Sequence, residues 1–206
     1  MIERAFAVVL VMTALVGCTG SGSGSKSARR AASSTTVPPS YVEVADAEAG
    51  FVMSLPPDWR RLPLDAAALQ QQADAARATN PRLAATLAAV KDLLGSGARL
   101  VALTPDGTSE VNLLVVSGAD GARLEDFYGP AMAQLQGRGA TIESREIADF
   151  AGVSALRVTL RFPVPDGGGT VDEVQYYLLN KGRAYVLTLS GHDPALGQIA
   201  SSLRLT

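Results

Sequence analysis

The sequence predicts an α+β domain in which an antiparallel β-sheet is flanked by helices. Three observations support this prediction. Apolar and polar residues alternate along several segments, as they do in strands with one buried face. Turn sequences join some of these segments in pairs, which is typical of antiparallel hairpins. Helical periodicity occurs between the hairpins instead of after every strand, so the sequence lacks the βαβα alternation of a parallel sheet.

The chain of 206 residues begins with an apolar segment that indicates export. Arg4 precedes a nearly unbroken apolar run over residues 5–16. About 12 residues are too few for a membrane-spanning helix, which needs about 20. They fit the hydrophobic region of a secretory signal, which ends in small residues. Residues 1–17 are therefore interpreted as a lipoprotein signal peptide.

Cys18 is the only cysteine and follows this run directly. Residues 15–18, "LVGC", resemble the lipobox of bacterial lipoproteins, in which the cysteine receives a diacylglyceryl group and the signal is cut before it. The resemblance implies that Cys18 is a lipid anchor, held by partitioning of its acyl chains into the bilayer. The alternative is a buried cysteine at the end of a hydrophobic anchor. The absence of other cysteines fits an exported domain whose core needs no disulfide.

Residues 18–40 are predicted to be the lipidated cysteine and a flexible Gly/Ser-rich linker. After the cysteine the segment reads "TGSGSGSKSARRAASSTTVPPS", with no aromatic and no acidic residue. Such a composition cannot bury enough apolar surface to offset the entropy of ordering. Its charges are Lys26, Arg29 and Arg30. We interpret it as a solvated tether; a weak contact with anionic lipid head groups is the alternative.

Residues 41–206 are rich in apolar side chains and have a length typical of one domain. The first strand is predicted at 50–55, where a double proline ends it. Two Ala-rich helices are predicted at 64–79 and 81–95. The next two strands, 98–103 and 110–116, flank the turn sequence "TPDG" and form a hairpin.

The second half of the domain continues this pattern. Residues 124–136 have one apolar helical stripe, with a kink expected at Pro130. Residues 155–162 ("ALRVTLRF") alternate strictly and predict a strand. Residues 174–189 predict a hairpin whose loop ends in Gly182. A closing helix at 194–202, capped by Asp193, and a short final strand complete the domain.

The order of these elements resembles the PsbP-like α/β/α sandwich superfamily and, within it, the LpqN-type lipoproteins of actinobacteria. The matching stretches are "FVMSLPPDW", the Asn-Pro pair between the helices, "VNLLVV", "LEDFY", "VQYYLLNKGRAYVLTLS" and "IASSLRL". They are strand ends, turns and core aromatics. The resemblance therefore implies the fold and a cell-envelope setting, and it implies no catalytic residue.

The sequence contains residue types that catalyse reactions or bind metals, but not in the arrangements that such chemistry needs. Ser190, His192 and Asp193 are neighbours on one stretch, whereas a triad needs members that converge from separate elements. We interpret them as a polar loop. One histidine and one cysteine exclude the usual zinc ligand sets. Residues 118–126 ("GADGARLED") lack the alternating acids of an EF-hand and predict a turn before a helix. No catalytic residue, metal or cofactor is predicted.

The glycine-rich segment, the aromatic residues and the net charge indicate no further functional site. The glycines at 167–169 lack the context of a phosphate-binding loop. Trp59 is expected to close one end of the sheet, with ligand stacking as the alternative. Tyr176 and Tyr177 are adjacent on a strand and must face opposite sides. The net charge of −2, with both signs interspersed, argues against a nucleic-acid partner.

Two functions remain. The first is a non-catalytic binding or accessory module for another envelope component, anchored by Cys18 on the extracytoplasmic face of the cell membrane. The alternative is a carrier or sensor of an apolar small molecule or lipid, held between sheet and helices. The helical pair from Leu64 to Leu94 is expected to be the working surface. In its second helix Leu83, Leu87, Val90 and Leu94 should face the sheet, and Ala84, Ala85, Ala88 and Ala89 should extend over much of the remaining surface. The alternative is that these alanines are only strong helix formers in a helix that covers the sheet.

Overall fold

The computed structural model describes residues 38, 40–163 and 169–206. Within these residues the chain forms ten strands and four helices. The strands are β1 (Val42–Asp46), β2 (Phe51–Leu55), β3 (Arg60–Arg61), β4 (Ala98–Leu103), β5 (Glu110–Ser117), β6 (Thr141–Phe150), β7 (Val153–Pro163), β8 (Thr170–Asn180), β9 (Arg183–Ser190) and β10 (Arg204–Leu205). The helices are α1 (Ala66–Ala76), α2 (Pro81–Gly95), α3 (Leu124–Gly137) and α4 (Leu196–Ser201).

The strands form two sheets, in which every neighbouring pair is antiparallel. The large sheet has seven strands in the order β3-β4-β5-β9-β8-β7-β6. The small sheet has three strands in the order β1-β2-β10. The predicted α+β class with an antiparallel sheet is confirmed.

Two apolar cores lie on opposite faces of the large sheet, because its strands alternate between them. On one face, residues of α1, α2 and α3 pack against side chains such as Val158 and Tyr177. On the other face, the small sheet and α4 pack against side chains such as Leu113 and Tyr185. Trp59 is buried in this second core, and its role in closing one end of the sheet stays a prediction.

The hairpin predicted at 174–189 is confirmed by the pairing of β8 with β9. Its two-residue turn consists of Lys181 and Gly182, both with positive φ (47° and 71°). These angles indicate a type I′ turn, whose twist matches that of the flanking strands. The hairpin of β4 and β5 and the alternating strand β7 are confirmed as well.

Three sequence predictions need correction, and three strands are additional. The strand at 50–55 is the second strand, because β1 precedes it and pairs with it. Strands β1, β3 and β6 were not predicted. Helix α4 begins at Leu196 with Ala195 as its N-cap, so Asp193 does not cap it, because the Leu196 N–H bonds to the Asp193 carbonyl at 3.1 Å and closes a tight turn before the helix. Ala84 is buried, because α2 packs on α1 as well as on β4 and its buried stripe is wide.

The rest of the α2 prediction is confirmed where the structure describes it. Leu87 and Val90 are buried, Leu94 is partly buried against the same core, and Ala88 is exposed. The side chains of Leu83, Ala85 and Ala89 lie outside the described part of the chain. So do the lipobox with Cys18, nearly all of the linker, and two of the three glycines at 167–169.

Candidate functional site

A groove runs along the large sheet between α4 and strands β7 and β8. Along β7 and β8 every second side chain enters the helix-side core, and the side chains between them face α4. Because α4 covers only part of this second set, a groove remains. Arg157 and Thr159 of β7 and Val174 and Tyr176 of β8 line it. On the α4 side the lining includes Leu196, Gly197, Ala200 and Ser201. The cavity volume is about 530 Å³. We call it the α4 groove.

Two stacked aromatic rings form part of this groove. The ring centroids of Phe150 and Tyr176 are 3.9 Å apart, with an interplanar angle of 15°. Phe150 ends β6 and Tyr176 lies in β8, so the pair spans β7. Ala155, the intervening β7 residue on this face, is small enough to leave room for the rings. The groove therefore offers a rigid, flat apolar platform.

The two arginines beside the platform are paired with carboxylates on neighbouring strands. Arg157 donates to Glu146 Oε1 at 2.9 Å. Arg161 contacts Glu143 Oε1 at 2.9 Å and Asp172 Oδ1 at 3.1 Å. Burial lowers the pKa of Arg157, but its hydrogen bonds to Tyr176 and Glu146 outweigh this effect and the net pKa is raised. The guanidinium stays charged and fixed in place.

The opposite face of the same strands carries a buried polar cluster. It consists of Glu110 and Asn112 on β5 and Glu173, Gln175 and Tyr177 on β8. The Tyr177 hydroxyl donates to Gln175 Oε1, and Gln175 Nε2 donates to Glu173 Oε1 at 2.5 Å. Asn112 Nδ2 donates to Glu110 Oε1 at 2.9 Å. The other carboxyl oxygen of Glu110 is buried without a hydrogen-bond partner in the described part of the chain.

The two glutamates of the buried polar cluster flank β9, since both lie opposite Ser190 in the sheet. Burial raises the pKa of Glu110 to about 7, although the bond from Asn112 lowers it. Burial and the nearby Glu110 raise the pKa of Glu173 to about 8, although the hydrogen bond from Gln175 lowers it. A protonated carboxyl avoids the large cost of a buried charge. We interpret the cluster as part of the core.

Sequence analysis did not single out this cluster, although a signal was present. The alternation of β8 places Glu173 and Gln175 on the face of Tyr177, which predicts buried polar groups. Because β5 and β8 are far apart in the sequence, no local pattern predicts that Glu110 lies near Glu173. Tyr176 and Tyr177 do face opposite sides, as predicted.

The sequence candidates for catalysis do not converge. Ser190 is buried on the helix side of β9, whereas His192 is exposed in the following loop. The main-chain N–H groups of His192 and Asp193 donate to Ser109 Oγ at 3.2 and 3.1 Å. His192 and Asp193 lie in the loop between β9 and α4, as predicted, whereas Ser190 is the last residue of β9 and not part of that loop. Among the described residues, no three His, Cys, Asp or Glu side chains are grouped as metal ligands.

A second cavity lies at the first turn of α3. Its volume is about 430 Å³, and Val116, Phe127, Leu179 and Ala184 form its apolar lining. Asp120 and Asp126 lie at the same cavity. The segment before α3 is a turn followed by a helix start, as the sequence predicted. None of the helices in the described part of the chain is long and apolar enough to cross a membrane.

Comparison with known proteins gives similarities of fold. Neither a family model nor a curated protein sequence matches the chain. The solution structure of CyanoP, the cyanobacterial PsbP of Synechocystis, aligns over 89% of this chain and 98% of its own, with 14% identity and a TM-score of 0.49. LpqN of Mycobacterium tuberculosis, a protein involved in cell envelope biogenesis, aligns over 81% of this chain and 90% of its own, with 14% identity and a TM-score of 0.46.

A Bacteroides thetaiotaomicron protein also aligns, over 76% of this chain and 45% of its own, with 12% identity and a TM-score of 0.44. At these values the matches concern the arrangement of strands and helices. Membership of the LpqN-type group stays a prediction.

Proposed function

We propose that this protein is a lipid-anchored, non-catalytic accessory module of the cell envelope, and that the α4 groove binds a segment of another envelope protein. The stacked pair of Phe150 and Tyr176 beside a fixed Arg157 carries this proposal. Aromatic and arginine side chains are enriched at protein interfaces and contribute most to their binding energy. Here they are preformed, so a partner would meet little ordering cost.

The groove favours a protein segment over a lipid. Its rim carries ion pairs on one side and the end of β6 on the other, so polar main-chain groups of a bound segment find partners there. An acyl chain would cover these polar groups without using their remaining hydrogen-bonding capacity, which is unfavourable. The sequence-based expectation that α2 is the working surface is replaced in this proposal, because Leu64 is the only large hydrophobic residue described in the α1–α2 region that is substantially exposed.

The test is capture of the partner by the full chain in its native envelope. Tyr176→Ala and Arg157→Ala should each lower capture by chemical crosslinking at least tenfold. Ala88→Glu, which changes the exposed face of α2, is the matched control and should leave capture unchanged. Loss of capture in Ala88→Glu with normal capture in Tyr176→Ala would contradict the groove proposal and support the α2 surface.

The anchor is tested separately. We propose that Cys18 is lipidated and that residues 1–17 are removed on the extracytoplasmic side. Cys18→Ser should release the protein from the membrane fraction or leave an uncleaved precursor. An intact mass that shows an unmodified Cys18 in the native host would contradict this part of the proposal.

The second candidate is a carrier of an apolar small molecule, which the cavity beside α3 favours. A volume of about 430 Å³ lies within the usual range for small-molecule sites. Ala184→Phe would fill this cavity from β9. Native mass spectrometry of the detergent-extracted protein should show a bound lipid that Ala184→Phe removes, if the carrier function is correct. A bare protein in both cases would exclude it.

A further inference from the structure

Strand β6 is a long free edge of the large sheet. It is the last strand in the sheet order, and in the described part of the chain it pairs with β7 alone. It spans ten residues, whereas β3 at the opposite edge spans two. A free edge presents unpaired N–H and C=O groups and is a template for another strand. Natural proteins usually shorten or cover such an edge, and here it is exposed over most of its length.

The hairpin with β7 determines which main-chain groups of β6 are free. Ala151 and Gly152 form a two-residue turn with φ of 53° and 79°, the geometry of a type I′ turn. The residues that flank such a turn, Phe150 and Val153, bond to each other across the hairpin. Hydrogen-bonded and non-hydrogen-bonded positions then alternate along an antiparallel pair. Asp149, Ile147 and Arg145 therefore direct their N–H and C=O groups towards the free edge.

The same three residues share one face of the strand. Ile147 lies opposite Leu156 of β7, which faces the helix-side core. Its exposure of 61% is the largest among the described large hydrophobic residues. Arg145 and Asp149 are exposed and have no ion-pair partner in the described part of the chain. Glu143 and Glu146 differ, because both bind arginines of β7.

These positions make the edge complementary to itself. If two copies of β6 pair in antiparallel fashion, outward residues must lie opposite outward residues, which allows only a few alignments. Centring the pair on Arg145, on Glu146 or on Asp149 places like charges opposite each other, which is unfavourable. Centring it on Ala148 leaves Ile147 opposite the Asp149 carboxylate, without an apolar partner. Centring it on Ile147 places Ile147 opposite its copy and Arg145 opposite Asp149 on both sides.

We propose that two copies of this chain associate through β6, in the alignment that places Ile147 on the two-fold axis. Three pairs of residues then exchange main-chain hydrogen bonds, and two ion pairs flank an apolar contact. On the other face Ser144 lies opposite Phe150 and Glu146 lies opposite Ala148, so like charges do not meet. The two large sheets become one continuous sheet. Because the shared surface is one strand wide, we expect a weak and reversible dimer.

The test uses disulfide formation by the full chain in membranes. Opposed residues of a hydrogen-bonded antiparallel pair have Cα atoms about 5.5 Å apart, within the roughly 4.4–6.8 Å that a disulfide spans. Ile147→Cys should therefore give a covalent dimer on mild oxidation. Arg145→Cys and Asp149→Cys should each stay monomeric alone but crosslink with each other when coexpressed. Arg61→Cys, at the opposite edge of the same sheet, is the matched control for random collision.

A charge exchange provides the second measurement. In the Ile147→Cys background, Arg145→Asp should reduce the dimer yield at least tenfold, because it creates two carboxylate pairs. Adding Asp149→Arg should restore the yield. Circular dichroism confirms that each variant is folded. The proposal is overturned if Ile147→Cys forms no more dimer than Arg61→Cys, or if the charge exchange fails to restore a yield that Arg145→Asp removed.

Discussion

Asp172 and Glu173 are neighbours on β8, yet they lie in opposite environments. Asp172 is half-exposed on the α4-groove side and accepts a hydrogen bond from Arg161 at 3.1 Å. Glu173 is buried on the helix side, and its carboxyl has a neutral amide as its hydrogen-bond partner. The two faces of one strand thus stabilise their carboxyl groups in different ways. Charged pairs lie where water is near, and protonated acids lie where it is not.

This difference separates stability from recognition. The helix-side face holds the buried polar cluster and one apolar core, so changes there should alter folding first. The opposite face near α4 holds a rigid aromatic platform and ion pairs beside water, so changes there should alter binding first. The following predictions test this division, from the largest expected effect to the smallest.

The adjacent tyrosines of β8 should show the largest difference. Tyr177 is fully buried against Phe127 in an edge-to-face contact, with ring centroids 5.8 Å apart. Tyr177→Ala leaves a cavity and should lower the free energy of unfolding by about 3–5 kcal/mol. Tyr176→Ala removes a half-buried ring and should cost about 1 kcal/mol. Urea denaturation measures both, and equal losses would contradict the division between the faces.

Stability should fall as the pH rises, because of the buried glutamates. Their folded-state pKa values of about 7 and about 8 lie above the ordinary value of 4.5. The unfolded chain therefore releases these protons first, and folding is favoured most below about pH 4.5 and progressively less up to about pH 8. Glu173→Gln should reduce this loss by a few kcal/mol at pH 8. Asp172→Asn is the matched control and should retain it.

The measurement for this prediction is the unfolding free energy of each variant between pH 5 and 9. A wild-type curve that rises over this range would contradict the buried, protonated state of these carboxyls. A Glu173→Gln curve as steep as that of the wild type would show that groups other than Glu173 cause the pH dependence of stability.

His192 should show the smallest effect. Its side chain is exposed, and the loop is held by its main-chain N–H bonding to Ser109. His192→Ala retains that bond and should change the unfolding free energy by less than about 0.5 kcal/mol. Partner capture should also be unchanged. A loss of function with an intact fold would show that this loop takes part in the protein's activity.

Sequence patterns predicted the elements that have one buried face. In β7 and β8 apolar and polar residues alternate, and successive side chains of a strand point to opposite faces. This predicted which residues are buried and that Tyr176 and Tyr177 face opposite sides. Strand β6 was missed because both of its faces are largely exposed and it has no apolar period. Strand β1 is short, and Val44 is its only buried residue.

The candidate site was harder to predict than the fold. Arg157 and Tyr176 could be placed on one face, but Phe150 belongs to the missed strand. The groove also requires α4, which follows β9 closely in sequence but whose packing on β9 and β2 no local pattern reveals. Likewise, the burial of Ala84 depends on the packing of α1 against α2, which alternation within one helix does not reveal.

Site-specific photocrosslinking tests the central claim most directly. A benzoylphenylalanine at Thr159 in the α4 groove would be compared with one at Ala88 on α2, each in the full chain and in the native envelope. We expect a discrete protein adduct from Thr159 that Tyr176→Ala removes, and no adduct from Ala88. An adduct from Ala88 without one from Thr159 would contradict the account and place the binding surface on the helices.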